Sequence, residues 1–519
     1  MTVPYSPQTP AEERFLAECQ NPERIVLGAG DRPDHASPET EIRAEMVRYV
    51  LLNDTSGLHS KGLRLRGAWI SGRLDLQGCD CARDITLRDC VLAEPVNLVN
   101  AALRGLHISG SLLHGLSADN TRFSGSVYLR GGIHCEGEIS LAGARISGDL
   151  QICDATIQST GQDAIFAPSL HVDGSLFLGN YVYSEGITTL TTRGTIFFAS
   201  AVVGHDMFVS NTAISLNDDI LGGVFGATEE HGRDMALSVG RARIGGILYL
   251  AENQIGQGIV NLAGASVARF RDEPNGPGAN YPIRLDGFRY GDFSRHADTD
   301  IAARLAWLER RPADTPFTAQ PYEQLAHVLR GLGHQDDVNA VLIRKEQILR
   351  QSNRAMLLTE EGQSLRWATS GLWDFFLRIM VGYGYHPGRS LIMAILLIIG
   401  LAWFFDQTWK AGDMTPNAAP ILVSDDWVSA TQTHSDNPAQ YWSAIGQAGQ
   451  DWETFSPWAY ATDLVVPLVS LGQESAWAPS TSRSDWGRTG WWLRWFAKGI
   501  GWVITALVAA AITGVIRRE

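Results

Sequence analysis

The sequence predicts a mixed fold: a β-solenoid, taken in its common right-handed β-helix form, then an α-helical linker and two transmembrane α-helices. Three observations carry this. Short apolar-x-apolar triplets recur at a step of about 11 residues through roughly the first 290 positions. From Asp298 onward the apolar period becomes helical. Two uncharged apolar runs, Ser390 to Phe405 and Gly499 to Ile516, stand near the C-terminal end.

The triplets are Leu63/Leu65, Leu74/Leu76, Ile85/Leu87, Val96/Leu98 and Leu106/Ile108, then Val127/Leu129, Ile139/Leu141 and Leu150/Ile152. Less regular copies run from Leu176/Leu178 to Val260/Leu262. Alternation within each triplet is the strand period, and Gly or Asn often follows as a turn requires. A longer unit, apolar-x-Gly-x-apolar-x-apolar, overlaps them, as in ISGRLDL from Ile70 and ISGDLQI from Ile146. This beat leaves no room for helices and implies a coil of about 22 residues. A β-sandwich or propeller would need regular hairpin signals, which are sparse.

Open solenoid ends need covers. Ser37-Pro38 followed by EIRAEMVRYVLL reads as an N-cap, a Pro at the first position and an amphipathic helix. Two insertions are expected to interrupt the beat, Ser215 to Met235 and Arg271 to Pro282. After Asp298, DIAARLAWLERR, YEQLAHVLRGLG and QDDVNAVLIRKEQILRQ have helical spacing, and the last two look like a tetratricopeptide-type pair. LRWATSGLWDFFLRIM, Leu365 to Met380, is amphipathic and suits an inner membrane surface.

The second apolar run is long enough to span; the first needs Pro387, Gly388 or Arg389 to reach the necessary length. Trp403, Trp409, Trp491, Trp492, Trp495 and Trp502 flank the runs as interface anchors. Seven Lys/Arg lie between Arg344 and Arg389, whereas Ala411 to Ser482 has none and carries eight acids. Basic flanks stay inside, so both termini are expected in the cytoplasm and the intervening loop outside. The absence of a signal-peptide pattern at the start agrees, and reducing surroundings would leave the six Cys unpaired.

The chain thus divides into a helical cap (1–60), a β-solenoid (61–294), a helical linker (295–355), an amphipathic juxtamembrane segment (356–389), a first span (390–407), an extracytoplasmic loop (408–490) and a second span (495–516). A short re-entrant or interfacial helix is expected near 457–466, because Pro467 ends the stretch after Ser456-Pro457.

Composition excludes other classes. Of 519 residues, 42 are basic and 56 acidic, a net charge of -14, which argues against nucleic acid as a partner. Gly28-Ala29-Gly30 lacks the third Gly of a dinucleotide loop, since position 33 is Pro33. Cys79, Cys81 and Cys90 lack the companions of a zinc site; Cys79 and Cys90, one repeat step apart, are expected to be stacked apolar fillers. Asp218 and Asp219 lack an EF-hand pattern. No catalytic, cofactor-binding or metal-binding residue is assigned.

GAWISGRLDL from Gly67, RLAWLERR from Arg304, QPYEQLAHVLRGLGH from Gln320, GYGYHPGRSL from Gly382 and FSPWAYATDLVVPLVSLGQESAW from Phe455 resemble a family of uncharacterised bacterial membrane proteins. The resemblance covers most of the chain. It implies architecture and a location in the bacterial inner (cytoplasmic) membrane, with little chemistry. The C-terminal layout of span, short apolar helix and span is also similar to two-span cation channels. On that reading Asp463 and Glu474 form rings of negative charge in a homo-oligomer, with Asp451 and Glu453 in an acidic vestibule. The carbonyl filter TVGYG is absent.

The leading expectation is an interaction or sensor scaffold, held in the lipid bilayer and offering its solenoid to a cytoplasmic protein partner. The alternatives are an oligomeric cation channel gated by the cytoplasmic domain and a membrane-associated enzyme. The enzyme reading needs clustered carboxylates on one face, whereas Asp75, Asp89 and Asp149 are dispersed.

Overall fold

Alternating Leu, Ile and Val with one polar residue between them bury every second side chain, and the triplets pair side by side on that basis. A computed structural model describes residues 6–53, 56–181, 185–217, 234–276, 278–313, 315–359, 371 and 388–512. They form two units, Met1–Leu342 and Ile343–Glu519.

The first unit is a 28-stranded sheet in which every pairing is parallel. Four ladders run through it. The first carries Leu65, Leu87, Ile108, Leu129, Ile152, Leu178, Val209 and Leu250 in register. The second carries Val96, Leu116, Ile139, Ile165, Ile196, Leu237, Val260 and Ile283. The third joins Ile42, Ile70, Leu92, Leu113, Cys135 and Ile157. The fourth joins Cys81, Leu103, Phe123, Ile146, Val172, Val203, Ile244 and Val267. All of these side chains are buried.

Partners in the regular part are 21 to 23 residues apart, the step expected of the repeat. The step grows to 41 between Val209 and Leu250, across the expected insertion at Ser215 to Met235. Residues 218–233 of that insertion, with Asp218 and Asp219, lie outside the described residues. The second expected insertion is corrected: Val260 pairs with Ile283 and Phe270 with Phe293, so Arg271 to Pro282 adds no length to the step.

Corners between ladders explain the recurrent Gly and Asn. Asn100, Asn120 and Gly143 occupy one corner with φ of 58°, 55° and 65°, the left-handed region that Asn and Gly tolerate best. Successive corners are hydrogen-bonded, Asn100 N–H to Asp119 O at 2.9 Å and Asn120 N–H to Ala142 O at 2.8 Å.

The N-terminal cover differs from expectation. Glu41–Arg43 is a strand paired with Trp69–Ser71, and the helix begins only at Ala44, running to Leu52. Ser37 and Thr40 form a turn instead of a helix cap. A second helix, Pro10–Glu18, is capped by the Thr9 hydroxyl, which accepts from Glu12 N–H at 3.1 Å. Glu12 is buried and accepts from the Arg43 guanidinium at 2.7 and 2.9 Å and from Gln8 N–H at 2.7 Å.

Burial pushes the Glu12 carboxyl up, but the bonds from Arg43 and from the Gln8 amide outweigh it and hold it below the usual range. A depressed folded-state pKa stabilises above the ordinary carboxylate value, and the contribution is lost as pH falls through the depressed one. Glu12→Gln should therefore cost about 2 kcal/mol at neutral pH. The gap to wild type should close in acid, read by hydrogen exchange over residues 10–18. An equal gap at both pH values would sink this assignment.

The C-terminal end is covered by helices Ile301–Leu308 and Gln320–Gly331. Gln320 donates to Phe288 O at 3.0 Å and Gln324 to Tyr290 O at 2.7 Å, so side-chain amides satisfy the last strand edge. Gly333, at φ 82°, separates Gln320–Gly331 from the helix Gln335–Thr359.

In the second unit, Gly388–Lys410 and Asp485–Ile512 are long helices, and the segment between them is folded. It contains helices Asp425–Thr433, Pro438–Trp442 and Pro457–Val465, and an antiparallel pair, Met414–Pro416 with Trp477–Pro479. Phe405, Met414, Trp427, Trp442, Tyr460 and Trp477 share its core.

Among the described residues one helix, Gly388–Lys410, is long and apolar enough to cross a membrane, where two were expected. The helix Asp485–Ile512 carries Arg488, Arg494 and Lys498, and residues 513–516 of the expected second span lie outside the described residues. So do residues 360–370 and 372–387, which hold most of the amphipathic segment and the GYGYHP motif.

Candidate functional site

Asp463 and Glu474 come together because the backbone N–H of Glu474 donates to the Asp463 carboxylate. Asp463 lies on Pro457–Val465, the helix opened by Ser456, whose hydroxyl accepts from Ala459 N–H. The Asp463 carboxylate is buried and accepts from Leu471 N–H at 2.6 Å and Glu474 N–H at 3.2 Å. It ties the turn after Pro467 to the helix before it. Glu474 accepts from Arg494 at 2.9 Å and also from Lys498. Burial pushes its carboxyl up, but the hydrogen bonds from Lys498 and Arg494 outweigh this and hold it below the usual range. These four residues border an open cavity of about 460 Å³ with Asn417 and Trp502.

The other expected acids stand apart from this cluster. Asp451 is exposed, and Glu453 accepts from Gln473 at 3.0 Å. Trp403, Trp492, Trp495 and Trp502 are exposed, and Trp491 is half-buried against Trp492 and Trp495. Trp409 stacks on Phe455 at 4.7 Å and meets Trp477 edge-on, so it belongs to the core of the unit.

In the strand unit, Cys81 and Cys90 are buried, and burial pushes the Cys90 thiol up to about 12. Cys79 and Cys90 do not stack. The position of Cys90 is followed by Val91, in the ladder of Trp69 and Leu112, while Cys79 stands just before Asp80, in the ladder of Ala102. One repeat step of about 11 residues is about half the step between ladder partners, so it changes ladder. Asp75, Asp89 and Asp149 are each engaged, with Asn97, Arg66 and Ser175 N–H respectively.

The sequence reading missed a row of cations. The fourth ladder aligns Ala102, Arg122, Arg145 and His171 side by side, and continues through Val202 to Arg243, Ser266 and Arg289. Arg122 and Arg145 are exposed and face an open trench of about 590 Å³. The signal was present: each Arg immediately precedes a buried apolar residue of the fourth ladder. Its spacing of 23 residues shows only once the register is known. Comparison with protein families, curated proteins and solved structures finds no match.

Proposed function

We propose that the chain is a membrane-anchored scaffold. Its parallel strand unit is a β-solenoid on the cytoplasmic side, presenting its faces to a partner, and its C-terminal unit is the anchor. One observation carries this reading: Leu391, Ile392, Leu396 and Trp403 on Gly388–Lys410 are 62%, 58%, 57% and 62% exposed, a continuous apolar face that lipid would cover. Trp492, Trp495, Phe496 and Trp502 give the helix Asp485–Ile512 an exposed apolar face of the same kind, which supports its use as the second span. Return of the ladders at a step of about 22 residues supports the solenoid. The excess of Lys/Arg before the first span, against none from Ala411 to Ser482, supports cytoplasmic termini.

The acids favour an anchor over a pore. A cation-attracting ring needs free negative charge. Asp463 is spent on amides and Glu474 on two cations.

Cysteine labelling at the exposed Ser435 from outside intact cells tests the orientation; protection there overturns it. Glu474→Gln leaves Arg494 and Lys498 uncompensated and should cost about 2 kcal/mol in detergent melting. A channel ring would show the opposite pattern, unchanged melting with altered cation flux.

A further inference from the structure

We infer that the trench on the fourth ladder is a binding site for a phosphate group, with Arg122 and Arg145 as its two cationic ligands. Parallel pairing sets these residues directly opposite each other, on strands about 4.8 Å apart. Like charges directly opposite are destabilising, so such a pair asks for a counter-charge. None comes from the protein: among the described residues neither guanidinium has an ion-pair or side-chain hydrogen-bond partner. Their charged neighbours are already engaged. Arg104 stands 3.8 Å from Asp84, and His171 is bonded to Asp173 at 3.0 Å. Asp80, at the far end of the trench, lies two rungs from Arg122, with Ala102 between them.

Among the side chains that line the trench, Arg104, Arg122 and Arg145 outnumber Asp80 and Asp173, and of the three only Arg104 has an ion-pair partner among the described residues, in a chain whose net charge is -14. A dianionic phosphate balances the other two, which a single carboxylate does not. The planar N–H forks of arginine match tetrahedral oxyanions, and a phosphate bridging two forks makes charge-assisted hydrogen bonds to each. Ser124 and Ser147 follow directly after the strands Arg122–Phe123 and Arg145–Ile146, are exposed in the trench, and supply hydroxyl donors. The trench is large enough for a small organic phosphate as well as the phosphate group itself. Arg243 and Arg289 share the ladder, but they are separated by Ser266 and line no part of the trench.

This assignment is independent of membrane anchoring. The chemistry is common to a soluble phosphate ester and a lipid headgroup, and the test separates them. Full-length protein in a non-ionic detergent is titrated calorimetrically with pyrophosphate and, separately, with a short-chain phosphatidate. Saturable binding of pyrophosphate supports a soluble ligand; binding of phosphatidate alone supports a lipid headgroup. Arg122→Gln and Arg145→Gln should each weaken binding about tenfold. Arg289→Gln should leave it unchanged. Without ligand, Arg145→Gln should melt at or above the wild-type temperature, because a like-charge contact has gone. Absence of binding in both titrations overturns the site. So does an equal loss in Arg289→Gln, which would mark diffuse attraction.

Discussion

Asp272→Asn should destabilise the end of the strand unit by about 3–5 kcal/mol, the cost of stranding one member of a buried ion pair. Asp272 occupies the position in the first ladder that Leu65, Leu87, Ile108, Leu129, Ile152, Leu178, Val209 and Leu250 fill above it. Here the column stops being aliphatic, because Arg304 enters from the helix Ile301–Leu308. The Arg304 guanidinium meets Asp272 at 2.7 Å, donates to Asp298 O at 2.6 Å and lies over the Phe293 ring at 4.4 Å. The side chains are 0% and 5% exposed, so no water is available to replace a lost partner. Removing the pair together is a different matter. Asp272→Leu with Arg304→Met continues the aliphatic column and should recover most of the loss, since a buried pair often contributes little net stability over apolar packing. Hydrogen exchange over residues 266–308 would register both results. A double variant as unstable as the single one would show that the pair specifies the junction as well as filling it.

No local pattern in the sequence marks that pair, and the reason is general to this fold. The first two ladders were legible because most of their segments show two buried apolar residues around a polar one, as Leu63/Leu65 and Val96/Leu98 do. The third and fourth ladders are mostly strands of two or three residues with one buried side chain each, such as Ile70 and Phe123, too short to show alternation. They surfaced only as the first letter of the longer unit that begins at Ile70 and Ile146. Hence Arg122 and Arg145 went unseen as neighbours, and Cys79 and Cys90 were placed together when a half-step separates them. The capping pattern Thr9-Pro10-Ala11-Glu12, which opens the helix Pro10–Glu18, was passed over in favour of Ser37-Pro38. The bond from Arg43 to Glu12 was not legible, because it joins residues 31 positions apart. In the C-terminal unit the proline after Val466 correctly limited the helix at Pro457–Val465. The pairing of Glu474 with Arg494 and Lys498 required the chain to fold back.

Ile395→Arg combined with Ile399→Arg should abolish membrane integration. Both residues lie near the middle of Gly388–Lys410, and both are exposed on the face that Leu391, Ile392, Leu396 and Trp403 extend. An arginine at the centre of a span costs about 2.5–3.5 kcal/mol on the insertion scale, so the two together remove most of the drive to insert. Neither can snorkel easily, since each is about two to three turns from the nearer helix end. The controlled comparison is Ile395→Leu with Ile399→Leu, which keeps the face apolar and should extract with membranes in alkaline carbonate as wild type does. If the face were an ordinary surface in water, the arginines would improve solubility and the wild type would not sediment with membranes. If it were covered by another protein, the arginine variant would lose that partner and stay in the carbonate-resistant fraction through Asp485–Ile512 alone. Loss of the arginine variant from the membrane pellet, with retention of the leucine variant, is the outcome that lipid contact requires. It would also show that Asp485–Ile512, whose Arg494 and Lys498 lean on Glu474 for compensation, cannot hold the unit in the bilayer by itself.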